Sequence, residues 1–266
     1  MDRYICSTCG TMYAPQERPP ASCPVCEDER QYVPRTGQVF LTMEQLSRSH
    51  RNAFEVLEDG LMGIQTVPDF AIGQRAVLVR TEEGSLLWDP LSLADAASVE
   101  IVRALGGVRA IASSHPHFFA SMPVWAEEFD ARIVLHAENR PYVMGESGRI
   151  DFVADDEVTL FGGLRLVRLG GHYPGSSVLE VPFAAEGRGA LLVGDTLQVT
   201  PDPGWLSFMY SYPNSIPLPA STVEDVARRA LSLRFERIYG AWLSIPSGGR
   251  ESLERSARRY AAHLRA

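Results

Sequence analysis

Three histidines and one aspartate carry the chemistry this chain could do. His115 and His117 stand one residue apart in "SSHPHFFAS", His172 lies in "LGGHYPGSS", and Asp195 ends the apolar run "LLVGDT". On a strand, residues i and i+2 face one side, so both imidazoles of the pair could reach a single ion. Two hydrogen-bonded polar residues at a strand end are the competing reading of that pair alone. His172 sits in a glycine-bounded turn, where backbone can come close to a ligand. A carboxylate ending a buried strand must be paired, hydrogen-bonded or bound to metal. The four together form a candidate site for one zinc or other divalent transition-metal ion. Three neutral imidazoles leave a fourth position for water, whose pKa a zinc ion lowers to about 7. Asp195 is then either the fourth ligand or a catalytic general base.

A second ligand set opens the chain. Cys6 and Cys9 form one Cys-x-x-Cys knuckle, Cys23 and Cys26 another, with thirteen residues between them. That spacing places four thiolates around one tetrahedral ion and leaves no open coordination position. Zinc is expected, and iron is also compatible with thiolate sulfur. The segment resembles a zinc ribbon or a short rubredoxin-like unit, although Glu27 stands where rubredoxins usually have a second glycine. A unit this short needs a staple to fold, so its metal is expected to be structural.

The composition narrows the field. All 25 basic residues are Arg, which excludes Schiff-base chemistry, lysine-anchored pyridoxal phosphate and a Walker A lysine. A net charge of −8 argues against nucleic acid or an anionic membrane as partner. The start "MDRYICSTCG" has no apolar signal core, and no run is long enough to span a bilayer, so the expected location is cytoplasmic.

The elements that must position these residues follow from periodicity. Residues 1–36 read as the metal-binding unit, 33–42 as a linker, and 37–266 as the main domain. "TMEQLSRSHRNAFEVLED" is expected to be a helix capped by Thr42, with Leu46, Phe54 and Leu57 at helical spacing. "GIQTV", "FAIG", "AVLVRT" and "SLLWD" read as strands. "SLADAASVEIVRALGG" reads as a helix capped by Ser92 and stopped by Gly106 and Gly107. "VRAIASS", "RIVLH" and "GALLVGD" read as buried strands, with consecutive strands through residues 157–182. "PVWAEEFDA", "STVEDVARRALSL" and "RESLERSARRYAAHLRA" read as helices, with the strand "RIYGAW" between the last two. This is an α/β pattern of sheet layers flanked by helices.

Taken in order, the segments from about Gly60 onward resemble the metallo-β-lactamase superfamily. Asp89 in "SLLWDP" resembles its early strand-end aspartate, His115-Pro-His117 the first half of its His-x-His-x-Asp-His motif, "GGHYPGSS" its third-histidine turn and "GDT" its bridging aspartate. The resemblance implies an αββα sandwich with the metal site at one edge of the two sheets. Three family ligands are missing. Phe119 and Ala120 replace the motif's Asp and His, and Ala241 or Trp242 stands where the last histidine would be. All three belong to the family's second metal position, so a mononuclear site is expected. Phe118 and Phe119 are expected to wall off the vacated place.

The resulting expectation is a metal-dependent hydrolase of a small ester, thioester or lactone-like substrate. Alternatives are a non-hydrolytic metal-binding protein of the same fold and an iron-dependent redox protein. The aromatic stretch 205–217 is either core or a substrate-facing cap. In the second case the hydroxyls of Tyr210 and Tyr212, with Tyr173 beside His172, would orient the substrate.

Overall fold

The computed structural model describes residues 1–266 apart from Glu146. Two sheets face each other. In spatial order the first runs through Arg51–Glu58, Leu61–Val67, Ala76–Thr81, Gly84–Trp88, Ala110–Ala112, Arg132–His136 and Ile150–Val153. Its first four strands are antiparallel, and from Gly84–Trp88 onward the pairings are parallel. The second runs through Glu157–Thr159, Arg165–Arg168, Ser177–Val181, Ala190–Gly194, Arg237–Gly240 and Ser244–Ile245.

Alternation along the strands builds three apolar layers. Val77, Val79, Leu86, Trp88, Ala110 and Ala112 meet Leu166, Leu179, Val181 and Leu192 between the sheets. Their neighbours Leu78, Leu87, Ile111 and Ile133 face outward onto Val99, Val102, Trp125 and Ala126 of helices Ala96–Ala104 and Met122–Phe129. On the opposite outer face Val167, Val178, Leu191 and Val193 meet Val223, Val226, Leu253 and Ala257 of helices Ala220–Leu231 and Gly249–Arg265. Both faces of each sheet are thus buried, giving the αββα sandwich. Among the described residues, no helix is long and apolar enough to cross a membrane.

Four local expectations are corrected. The helix from Thr42 stops after Ser47, and Arg51–Glu58 is a strand. A bulge at Val56–Glu58 breaks its alternation. Phe54 packs on the outer layer and Leu57 between the sheets, so the pair lies on opposite faces of the strand. "FAIG" is a turn, not a strand. Helix Ala96–Ala104 is capped by Asp95, which accepts from the Ser98 amide at 2.9 Å. Ser92 instead donates to the Gly10 carbonyl and ties the N-terminal unit down. The stretch expected to be a linker contains strand Phe40–Thr42, antiparallel to the Tyr4–Cys6 strand that carries Cys6.

Candidate metal centre and cleft

The histidine pair does not use strand alternation. Strand Ala110–Ala112 ends three residues earlier, His115 is extended, and Pro116 starts a single tight turn through Phe118. That turn brings both rings to one side, with centroids 5.1 Å apart. His172 arrives from the second sheet after Gly170 and Gly171, at φ +73° and +85°, backbone that favours glycine. Gly194 has a sharper reason to be glycine. A Cβ there would stand 2.2 Å from Ser114 Oγ and 3.1 Å from Asp89 Oδ2, so its absence lets the Asp195 strand close on the histidine turn.

His115, His117, His172 and Asp195 are all buried, with ligand atoms within 4.8 Å of one another. His172 Nδ1 donates to the Met209 carbonyl at 3.1 Å, which leaves the Nε2 lone pair directed at His117 Nδ1, 3.4 Å away. His117 Nε2 is held by the Tyr173 hydroxyl at 2.9 Å. His115 Nδ1 lies 2.8 Å from Ser114 Oγ, which donates to Asp89 Oδ2 at 3.1 Å. Each imidazole therefore spends one nitrogen on an outer partner and turns the other inward, as metal-binding histidines do.

Two of the inward atoms lack a hydrogen-bond partner within the protein. His115 Nε2 and Asp195 Oδ1 are 3.0 Å apart, yet neither has a hydrogen bond of acceptable geometry. Burial pushes the pKa of His172 down to about 4, only partly offset by Asp195. Burial and the other two imidazoles lower His117 well below the ordinary range. Burial works against ionised Asp195, but the imidazoles of His115 and His172 more than offset it and hold the carboxyl well below its usual range. His117 and His172 held neutral beside an ionised Asp195 are in the charge state a divalent ion requires, and these residues fit one.

Asp89, at φ +50° and 1% exposed, accepts from Ser113 Oγ, the Ser114 amide and Ser114 Oγ. Burial raises its pKa to about 6 against those donors. It orients the histidine turn through Ser114.

The four cysteines converge as expected. The Sγ atoms of Cys6 and Cys26, and of Cys9 and Cys23, are 3.6 Å apart, close to the edge of about 3.8 Å for a tetrahedron with 2.3 Å zinc–sulfur bonds. Among the described residues these are the two convergent groups of three or more His, Cys, Asp or Glu side chains. Among the described residues, no ligands for a second ion appear beside the histidines. Phe119 is packed into the outer core with Trp125, not into the site. The apolar wall is Phe118, 4.4 Å from the His115 ring, together with Trp242, whose ring is 6.0 Å from Phe118. Ala241 is buried beside it.

A cleft of about 160 Å³ opens over His117 and Asp195. Part of its wall was not legible in the sequence. Thr8, Arg30, Gln31 and Tyr32 of the N-terminal unit line it, together with Ile72 and Trp242. Nothing in "CEDERQY" marks those residues as site residues. The tyrosine hydroxyls are placed otherwise than as free substrate donors. Tyr173 is fully buried behind His117, Tyr210 bonds Glu29, and Tyr212 lines the cleft but donates to the Asp195 carbonyl at 2.7 Å. Stretch 205–217 forms short paired strands, with Leu206 and Phe208 in the core and Tyr212 and Pro213 on the cleft.

The family model described as the metallo-beta-lactamase superfamily matches residues 71–260. The uncharacterized protein YmaE of Bacillus subtilis (strain 168) is 42% identical over 263 residues, covering 98% of this chain and 96% of that protein. Solved structures share the fold at low identity. TMB-1 superposes with a TM-score of 0.61 at 14% identity over 81% of this chain and 99% of its own. The metallo-beta-lactamase FIM-1 from Pseudomonas aeruginosa, in its mono-zinc form, gives 0.59 at 14% identity over 80% and 95%.

Proposed function

The chain belongs to the metallo-β-lactamase superfamily, and we propose that it is a mononuclear metal-dependent hydrolase of a small ester, thioester or lactone-like substrate. The observation that carries this reading is the pair of unsatisfied inward atoms, His115 Nε2 and Asp195 Oδ1, in a buried group below an open cleft.

A zinc-type ion bound there supplies Lewis acidity toward a carbonyl oxygen and toward water. The chain's own groups do the rest. His115, His117 and His172 would hold the ion, and Ser114, Tyr173 and the Met209 carbonyl fix their rings. Asp195 either completes the ligand set or takes the proton of the attacking water. Its carboxylate is ionised in both roles. Phe118 and Trp242 dry one side of the site, which strengthens the electrostatics within it. The cleft is smaller than the usual 300 Å³ or more of ligand pockets, so a compact substrate or a terminal group enters. The cysteine ion keeps a structural role, since four thiolates close its coordination.

The test is turnover of a panel of small esters, thioesters and lactones by zinc-loaded protein, with His117→Ala as control. Hydrolysis of at least one class, lost in the variant, supports the reading. Full zinc occupancy without turnover of any class favours a binding protein of the same fold.

A further inference from the structure

Two polar side chains of the cysteine unit face the cleft with capacity to spare. Gln31 is 6% exposed and lines the cleft, yet its Oε1 has no hydrogen-bond partner. A buried amide group left unpaired is costly, and turning the amide over presents its N–H groups to a ligand in place of that oxygen. Beside it, the Arg30 guanidinium is held from three directions. Nε donates to the His172 carbonyl at 2.9 Å, Nη1 donates to both oxygens of Asp28 at 2.9 and 2.8 Å, and the plane lies between the Tyr173 and Tyr210 rings, 4.5 and 4.6 Å from their centroids. Among the described residues, Nη2 has no hydrogen-bond partner. Arg30 and Asp195 are the charged side chains lining the cleft. Asp28 offsets the charge of Arg30, so what this wall offers a ligand is the unpaired Nη2 donor edge.

We propose that Arg30 and Gln31 form a recognition subsite for a carboxylate on the substrate, in the cleft wall beside His172. The guanidinium is pre-organised, so little side-chain entropy is lost when it accepts a ligand. The Gln31 amide can turn its N–H toward the same oxygens, since O and N are interchangeable by a flip of the group. One guanidinium already paired with Asp28 suits a monoanion better than a phosphate dianion. The inference rests on reading the cleft as the hydrolase's substrate site and gives that substrate a class: small esters, thioesters or lactones bearing an acid group.

Binding tests it without turnover. Isothermal titration of zinc-loaded protein would compare mercaptoacetate, 3-mercaptopropionate and 4-mercaptobutyrate with their neutral amides. The thiol anchors each probe at the histidine site, and the series finds the reach to Arg30. The best acid should bind about 10-fold tighter than its amide, the size of a charge-assisted hydrogen bond. Arg30→Gln should abolish that preference and leave the amide's affinity unchanged. Gln31→Leu, which keeps the Arg30 contacts, should reduce it several-fold. No preference at any length overturns the subsite, as does a preference that survives Arg30→Gln and so belongs to the ion. Equal weakening of acid and amide by Arg30→Gln also overturns it, because Arg30 then only props His172. Acid preference without turnover would leave the subsite standing and remove the hydrolase reading. Turnover of neutral esters without acid preference would remove the subsite alone.

Discussion

The Tyr173 hydroxyl lies 2.9 Å from His117 Nε2, on the far side of the ring from the Nδ1 that faces His172. Burial pushes the tyrosine pKa upward, so the hydroxyl stays protonated. It fixes the ring and tautomer of His117, a ligand in the proposed metal site. Tyr173→Phe should keep the fold and the cysteine-bound ion but weaken metal binding at the histidines by about 10- to 100-fold. Competition against a calibrated chelator measures this. Unchanged affinity would mean that Tyr173 does not position His117.

Phe119 occupies a family ligand position yet packs with Trp125 in the outer core. Phe119→Asp with Ala120→His should therefore not rebuild a second metal site. An unpaired carboxylate would be buried among apolar groups, and stability should fall by about 3 kcal/mol. Thermal melting and metal content of the double variant check this. A folded variant binding an additional equivalent would show that the helix-side packing yields to a metal.

The cysteine unit walls the cleft, so Cys9→Ser should reach further than its own ion. Loss of that metal should loosen roughly the first forty residues. Arg30 would then release the His172 carbonyl. Limited proteolysis should cut first in residues 10–40 while the sandwich stays intact. Resistance to protease at wild-type levels would contradict the stapling role.

Acid should destabilise the metal-stripped protein. The His172 pKa is about 4 in the fold and about 6.5 unfolded, and His117 is also lowered. Between those values the unfolded chain binds more protons, so stability falls as pH falls. Asp195, with its lowered pKa, adds to the loss at still lower pH. The melting temperature should drop from pH 7 to pH 4.5, less steeply in His172→Gln. A flat profile would mean that these rings are not buried as neutral groups.

Much of this was legible in the residues. The cysteine set came from spacing, the histidine group from strand-end and glycine-turn contexts, the sheet layers with flanking helices from apolar periodicity, and the αββα sandwich from the resemblance to the metallo-β-lactamase superfamily. The misread helix at residues 48–58 has a physical cause. Residues three apart share one face of a helix but point to opposite sides of a strand, and both sides of this strand are packed here, so Phe54 and Leu57 mimic helical spacing. The His115–His117 convergence was anticipated, but Pro116 achieves it by a turn. The cleft wall was invisible for another reason. Arg30 meets His172 across 142 residues of sequence, and local pattern does not report such contacts.

The central claim is one ion on His115, His117, His172 and Asp195, separate from the cysteine ion. Elemental analysis of wild-type protein and His117→Ala, each normalised to folded chain, tests it most directly. Expected are two equivalents in the wild type and one in the variant, with the cysteine ion retained. Three equivalents in the wild type, or two in the variant, would contradict it.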